Sequence, residues 1–393
     1  MSQQRISLSP DLTQLRDDGY EVAIHHNHLV ITGVPYVNAR AEIRLGTLVS
    51  DLSMSGDVTT KPGNHVCMFA GEFPCDQHGH PLEKLRHGSA DNPIGPGLIV
   101  NHSFSRKPTE GYTDYHHKMT TYVSLLANHA KALDENVTAQ TRRVVQNNDP
   151  ESPFHYLDTA SGRVGISAVT RKLELSRIGI FGVGGTGGYV LDLVAKTPVR
   201  EIAIFDGDVF LQHNAFRAPG APSIEELRAQ MPKVEYLRAT YSKMHRGIVA
   251  HDCYIDETTV QNIGPLDFAF ICMDPGTPKR LLVERLEQDG VPFIDVGMGV
   301  ELIDDMLTGM LRVTTSTPAK RDHVREKKRI SFTDAGQDNL YSKNIQIADL
   351  NAMNAALAVI KWKKFFGFYA DLEREHNALY LMSGNTIING DEQ

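Results

Sequence analysis

The run Gly182-Val-Gly-Gly-Thr-Gly-Gly188 is the part of this chain best suited to do chemistry. It contains G-x-G-x-x-G at Gly182, Gly184 and Gly187. The apolar run Arg177-Ile-Gly-Ile-Phe-Gly182 precedes it, and a helical stretch over 187–196 follows. Such glycines permit a tight turn and let the backbone approach phosphate oxygens at a helix N-terminus, where the dipole favours negative charge. Asp206 ends a second apolar run 24 residues further on, where an acid can bind ribose hydroxyls. By itself the motif points to a nucleotide: a nicotinamide or flavin dinucleotide, or ATP bound for adenylyl transfer. The bland alternative is a glycine-rich turn without a ligand.

Residues downstream separate these readings. Asp206 opens Asp206-Gly-Asp208-Val209, followed by His213-Asn214-Ala-Phe-Arg217. Lys233 stands in Met231-Pro-Lys-Val234, and Asp274 ends the later strand candidate in Ile271-Cys-Met-Asp-Pro275. An amide, two cations and a carboxylate thus converge on the C-terminal edge of one sheet, where open α/β sheets bind ligands. A dehydrogenase has little use for Arg, Lys and a metal-binding acid around its phosphates. A reaction at phosphorus does, because cations and Mg2+ neutralise charge that builds on phosphate oxygens.

At these residues the sequence resembles the ThiF/MoeB/HesA superfamily, to which ubiquitin-activating enzymes belong, over roughly residues 160–390. Gly182, Gly184, Gly185 and Gly187 match its glycine loop, and Asp206 with Asp208 its D-x-D. Asn214, Arg217, Lys233 and Asp274 resemble its downstream Asn, Arg, Lys and Mg2+-binding Asp. The resemblance implies a Rossmann-like, doubly wound, mostly parallel sheet that adenylates the C-terminal carboxylate of a ubiquitin-like protein, with ATP and Mg2+ as cofactors and pyrophosphate as product. It implies a homodimer in which an N-terminal arginine crosses to the partner; Arg163 is the candidate and Arg171 its rival, against a plain linker arginine.

The sequence also departs from that family. Many members carry a cysteine after the metal acid that takes the activated tail as a thioester. Here no cysteine follows Cys272, which itself reads as a buried small hydrophobe. The expected product is therefore an acyl-adenylate handed to a thiol on a conjugating-enzyme-like partner. The family's paired CxxC zinc site is absent. The competing readings are an NAD-dependent oxidoreductase and a non-catalytic adaptor that keeps the fold.

The elements that must position these residues lie in the rear of the chain. From about residue 170, apolar runs ending in Gly or Asp alternate with helical stretches, which predicts a parallel sheet covered on both faces. Two further buried strands are expected at 266–274 and 291–295, and a long apolar helix at 349–365, either core or dimer interface. The basic run Lys320-Arg-Asp-His-Val-Arg-Glu-Lys-Lys-Arg329 reads as a loop, either gripping phosphate or simply solvated.

The polar segment Gln146-Asn-Asn-Asp-Pro-Glu-Ser-Pro153 is the expected linker, dividing residues 1–150 from 151–393. The front zone reads as a smaller α+β domain, with strands at 20–24 and 28–32 and a helix at 114–131. Through Val66-Cys-Met-Phe-Ala-Gly71 and Lys118-Met-Thr-Thr-Tyr122 it resembles a domain fused to activating enzymes encoded beside bacterial ubiquitin-like proteins, and we read it as a partner-recognition module. Cys67, Cys75, His78 and His80 cluster there. Zinc binding and acceptance of the activated tail by Cys67 or Cys75 are the sharp alternatives to scattered structural residues.

Composition sets the outer bounds. The chain has 393 residues, 41% of them hydrophobic and 22% charged, as in an ordinary globular protein of two to three domains. A net charge of −8 argues against a nucleic-acid binder. No stretch is long and apolar enough for a signal or a membrane span, and four cysteines without CxxC fit a cytoplasmic location.

Overall fold

The computed structural model describes residues 2–147, 149–163, 166–332 and 345–392. The side chains of residues 2–4 and of Arg163 lie outside that description. The chain divides into two compact units: Met1–Val145 with Asp158–Gly165, and Gln146–Leu157 with Ile166–Gln393.

The first unit opens with α1 (Ser2–Leu8) and α2 (Pro10–Asp17). There follow β1 (Glu21–His25), β2 (His28–Val37), β3 (Ile43–Asp51), the short pair β4 (Met54–Ser55) and β5 (Val58–Thr59), β6 (Val66–Ala70), β7 (Arg86–Gly95) and β8 (Leu98–Ser105). It closes with α3 (Tyr115–Lys131) and α4 (Thr159–Arg163). Six strands form one antiparallel sheet in the order β1-β2-β3-β6-β8-β7. The hairpin β1–β2 turns on His26 and Asn27, at φ 44° and 60°, the left-handed geometry that matches the twist of a two-residue loop. Asp114 caps α3 by accepting from the His117 N–H at 2.7 Å. Tyr115, Met119, Tyr122 and Leu126 recur at helical spacing and are buried against Leu29, Ile31, Leu48 and Phe69 of the sheet.

The second unit holds α5 (Ser167–Thr170), β9 (Arg177–Phe181), α6 (Gly185–Val194), β10 (Glu201–Phe205), α7 (Gln212–Ala215), α8 (Ile224–Arg228), α9 (Lys233–Tyr241) and β11 (Ile248–His251). It continues with β12 (Phe268–Ile271), α10 (Thr277–Gln288), β13 (Phe293–Ile303), β14 (Met306–Ser316), α11 (Asp322–Glu326), α12 (Ala348–Phe365), β15 (Asn377–Leu381) and β16 (Thr386–Gly390). One mixed sheet runs β11-β10-β9-β12-β13-β14-β15-β16. Its first five strands are parallel, and every pairing from β13 onward is antiparallel. Alternate strand residues serve opposite faces. Ile178, Ile180, Phe268 and Phe270 share a core with Val190 and Leu191 of α6 and Trp362 of α12. Phe181, Phe205 and Ile271 share another with Leu282 and Val283 of α10. Burial of each such side chain contributes roughly 1.5–3 kcal/mol before conformational entropy is counted.

The α/β, mostly parallel sheet expected for the rear of the chain is present, preceded in sequence by a sheet-rich unit. Two features differ from expectation. β13 runs well past Asp295, because it pairs with β14 along its whole length in a hairpin turning on Asp304 and Asp305, at φ 49° and 61°. The basic run 320–329 is not an open loop. Part of it is α11, and three of its cations are paired to acids remote in sequence: Arg325 with Glu287, Lys327 and Arg329 with Asp391. No helix among the described residues is long and apolar enough to cross a membrane.

Candidate functional site

The glycine loop joins β9 to α6, and each glycine meets a different constraint. Gly182 has φ 82°, and a Cβ there would stand 2.7 Å from the Cys272 carbonyl oxygen after β12. A Cβ on Gly187 would overlap the Gly182 carbonyl oxygen at 1.8 Å, so the helix can approach the strand only without one. A Cβ on Gly185 would stand 2.2 Å from Asn351 Nδ2. Gly184 differs: a Cβ there would meet nothing within 4 Å. Side-chain space does not demand this glycine, and the backbone there is left open to a ligand. α6 starts at Gly185, two residues before the expected start, and no side chain caps it. Its first N–H groups are therefore available to an anion.

Asp206 follows β10 and is locked on both oxygens. Oδ2 accepts from the Val183 N–H at 2.9 Å and Oδ1 from the Asp208 N–H at 2.9 Å. The Lys233 side chain, 7% exposed, places Nζ 3.5 Å from Asp206 Oδ1 and 2.5 Å from Asp208 Oδ2. The hydrogen bond from Lys233 holds the Asp208 carboxyl below its ordinary range, helped by Tyr254 and by the charge of Arg217. Lys233 begins α9, and its N–H donates to the Asp208 carbonyl at 2.9 Å, so backbone and side chain both tie this helix to the D-x-D segment.

Asn214 is buried in α7, where its Oδ1 accepts from the Leu211 N–H at 2.8 Å. Among the described residues, Asn214 Nδ2 and Arg217 Nε are buried donors without a hydrogen-bond partner. Such orphans are costly in a native protein unless a ligand satisfies them. Both could donate to phosphate oxygens. Asp274 is exposed in the turn after β12. A hard carboxylate oxygen there is the donor chemistry Mg2+ takes together with phosphate.

Asn351, at the start of α12, was not legible as a site residue. It is fully buried, accepts from Thr186 Oγ1 at 2.8 Å and donates to the Arg217 carbonyl at 3.1 Å. It thereby holds the glycine-loop helix and the Arg217 segment together from a third element. Nothing in the helical periodicity of α12 marks it.

The structure thus brings Gly182, Gly184, Gly185, Gly187, Asp206, Asp208, Asn214, Arg217, Lys233 and Asp274 to one edge of the sheet. Arg163 ends α4, and its side chain lies outside the described residues. Arg171 is exposed in a short 3-10 turn.

Burial pushes the Cys67 thiol up to about 12 and the Cys272 thiol well above its ordinary range, and it raises Cys75 and Cys253 as well. Burial of Cys67 and Cys75 fits their reading as structural residues better than acceptance of an activated tail. Among the described residues no group of three His, Cys, Asp or Glu side chains is arranged to hold a metal ion.

A model described as ThiF family matches residues 160–353, and one described as a domain of unknown function (DUF6791) matches residues 10–159. No curated protein matches. Solved structures similar to the chain include E. coli MccB with ATP, at 18% identity and TM-score 0.43, covering 57% of this chain and 66% of that one. The microcin C7 biosynthetic enzyme MccB in complex with N-formylated MccA is 18% identical, with TM-score 0.48 and coverage of 60% and 70%. PaaA is 15% identical, with TM-score 0.44 and coverage of 57% and 75%. The chain thus spans slightly under two thirds of the E. coli MccB chain.

Proposed function

From the premise that residues 160–353 are a ThiF family domain, we propose that this chain uses ATP to adenylate the C-terminal carboxylate of a ubiquitin-like protein. Family membership supports adenylation of a peptide or protein carboxylate in general. The observation that carries the reading is the pair of orphaned buried donors, Asn214 Nδ2 and Arg217 Nε, at the sheet edge that also bears the glycine loop and Lys233.

In this reading the α6 N–H groups and the open backbone at Gly184 receive the phosphates. Asp206 holds the ribose. Asn214, Arg217 and Lys233 donate to triphosphate oxygens. Asp274 would hold Mg2+, which when bound neutralises charge on the leaving pyrophosphate. The tail carboxylate is already ionised at neutral pH and needs no general base. Its oxygen attacks the α-phosphorus, the bond to the bridging oxygen breaks, and pyrophosphate leaves with that electron pair. Catalysis is then positioning and charge stabilisation. The raised cysteine thiols fit transfer of the product to a thiol on a separate conjugating-enzyme-like partner. A homodimer with an arginine donated across it and a partner-recognition role for the front unit belong to the same reading.

The test is ATP–pyrophosphate exchange by the full chain with small proteins that end in a glycine tail, each supplied with a free or an amidated C-terminus. Exchange with the free acid alone supports the reading. Absence of exchange combined with tight NADH binding would replace it with the oxidoreductase alternative.

A further inference from the structure

We propose that Tyr254 is the base-side wall of the nucleotide site and that its ring stacks on the adenine of ATP. This rests on the reading above and extends it to a residue outside the motif set.

Sheet order gives the direction in which a bound nucleotide must lie. The strands run β11-β10-β9-β12 across the binding edge. The glycine loop follows β9, the ribose acid Asp206 follows β10, and the metal acid Asp274 follows β12. A nucleotide with its phosphates at β9 and its ribose at β10 must point its base outward, toward the end of β11. β11 ends at His251, and Tyr254 lies three residues on.

The side chain is held there by the D-x-D segment. Tyr254 Oη donates to Asp208 Oδ1 at 2.8 Å. Its ring lies against the Gly207 backbone, where a Cβ would stand 2.7–2.9 Å from ring atoms. Gly207 is thus the residue of the D-x-D that lets an aromatic lie flat beside Asp206. Phe181, Phe205 and His251 stack at centroid spacings of 4.6 and 4.3 Å, stiffening the end of β11 that Tyr254 follows. Despite these contacts Tyr254 is 67% exposed. An aromatic fixed at its hydroxyl with its ring open to solvent, beside a ribose-binding acid, is a stacking platform for a base.

Calorimetric titration of the full chain and of Tyr254→Ala and Tyr254→Phe, each with MgATP and with magnesium tripolyphosphate, separates the ring from the hydroxyl and the base from the phosphates. The expected result is about a tenfold weaker ATP affinity for Tyr254→Ala. Tyr254→Phe should stay within about twofold of the parent, and tripolyphosphate should bind all three chains alike. Unchanged ATP affinity in Tyr254→Ala overturns the proposal. So does a loss in Tyr254→Phe as large as in Tyr254→Ala, or an equal loss for tripolyphosphate, since either would make Tyr254 only a support for Asp208. A parent chain that binds tripolyphosphate but not ATP also overturns it. A parent chain that binds neither overturns the underlying reading of the site as well.

Discussion

Lys233 Nζ bridges two carboxylates, standing 2.5 Å from Asp208 Oδ2 and 3.5 Å from Asp206 Oδ1. The lysine is buried and Asp206 nearly so, whereas the Asp208 side chain is 53% exposed. Lys233→Ala therefore leaves one carboxylate poorly solvated and removes a phosphate donor. Thermal unfolding should show a loss of about 1–3 kcal/mol. Pyrophosphate exchange should fall at least about a hundredfold. Exchange within threefold of the parent would remove Lys233 from the phosphate site.

Gly185 and Asn351 are in direct steric competition. Gly185→Ala forces the Asn351 amide aside and breaks its bonds to Thr186 and the Arg217 carbonyl. Asn351→Ala breaks the same bonds without a clash. Each should cost about 1–3 kcal/mol and weaken MgATP binding. The double variant should cost clearly less than the sum of the two, measured by denaturant unfolding. Strict additivity would mean that the two positions are not coupled.

Asp274 is exposed, so Asp274→Ala should leave the unfolding free energy within about 0.5 kcal/mol of the parent. Pyrophosphate exchange should be lost and should not return with added Mg2+. Exchange as fast as the parent's would remove the metal role assigned to this carboxylate.

Cys272 should stay unlabelled by iodoacetamide at pH 8 until the chain unfolds, because burial keeps its thiol protonated. Cys272→Ala should retain pyrophosphate exchange. Rapid alkylation of the native chain, or a thioester on Cys272 after incubation with ATP and partner, would contradict separate transfer.

His245 gives the rear unit a pH dependence. It is fully buried, with Nε2 facing the Val199 carbonyl at 2.9 Å and Nδ1 accepting from the Gly247 N–H at 3.0 Å. Burial lowers it from 6.5 to about 4. The folded chain thus binds this proton less readily than the unfolded one. Stability is full above pH 6.5 and declines as the pH falls toward 4, by about 3 kcal/mol for this group. His245→Gln should be less stable at pH 7 and should show a shallower decline over that window. An unchanged slope would place the acid sensitivity elsewhere.

How much of this was legible depended on the distance over which each constraint acts. The loop glycines, Asp206 and Lys233 act through local turns and strand ends, and short motifs expose those directly. Asn351 acts on Thr186 across 165 positions of chain, so only the folded packing reveals it. Tyr254 belongs to no motif, and its role depends on the sheet order that sets β11 outside β10. The β13–β14 hairpin was missed because its turn uses Asp304 and Asp305 in left-handed geometry rather than the glycine that usually signals one. Nothing local marks the fold of the basic run, because its pairing partners, Glu287 and Asp391, lie far from it in sequence.

The most direct test of nucleotide activation at the glycine loop is a crystal of the full chain soaked with a non-hydrolysable ATP analogue and Mg2+. The expected density shows phosphates against the backbone at Gly184 and the start of α6, the ribose on Asp206 and a metal at Asp274, with Asn214 Nδ2 and Arg217 Nε bonded to phosphate oxygens. An empty loop at saturating analogue, or a nicotinamide dinucleotide bound there in its place, would contradict it.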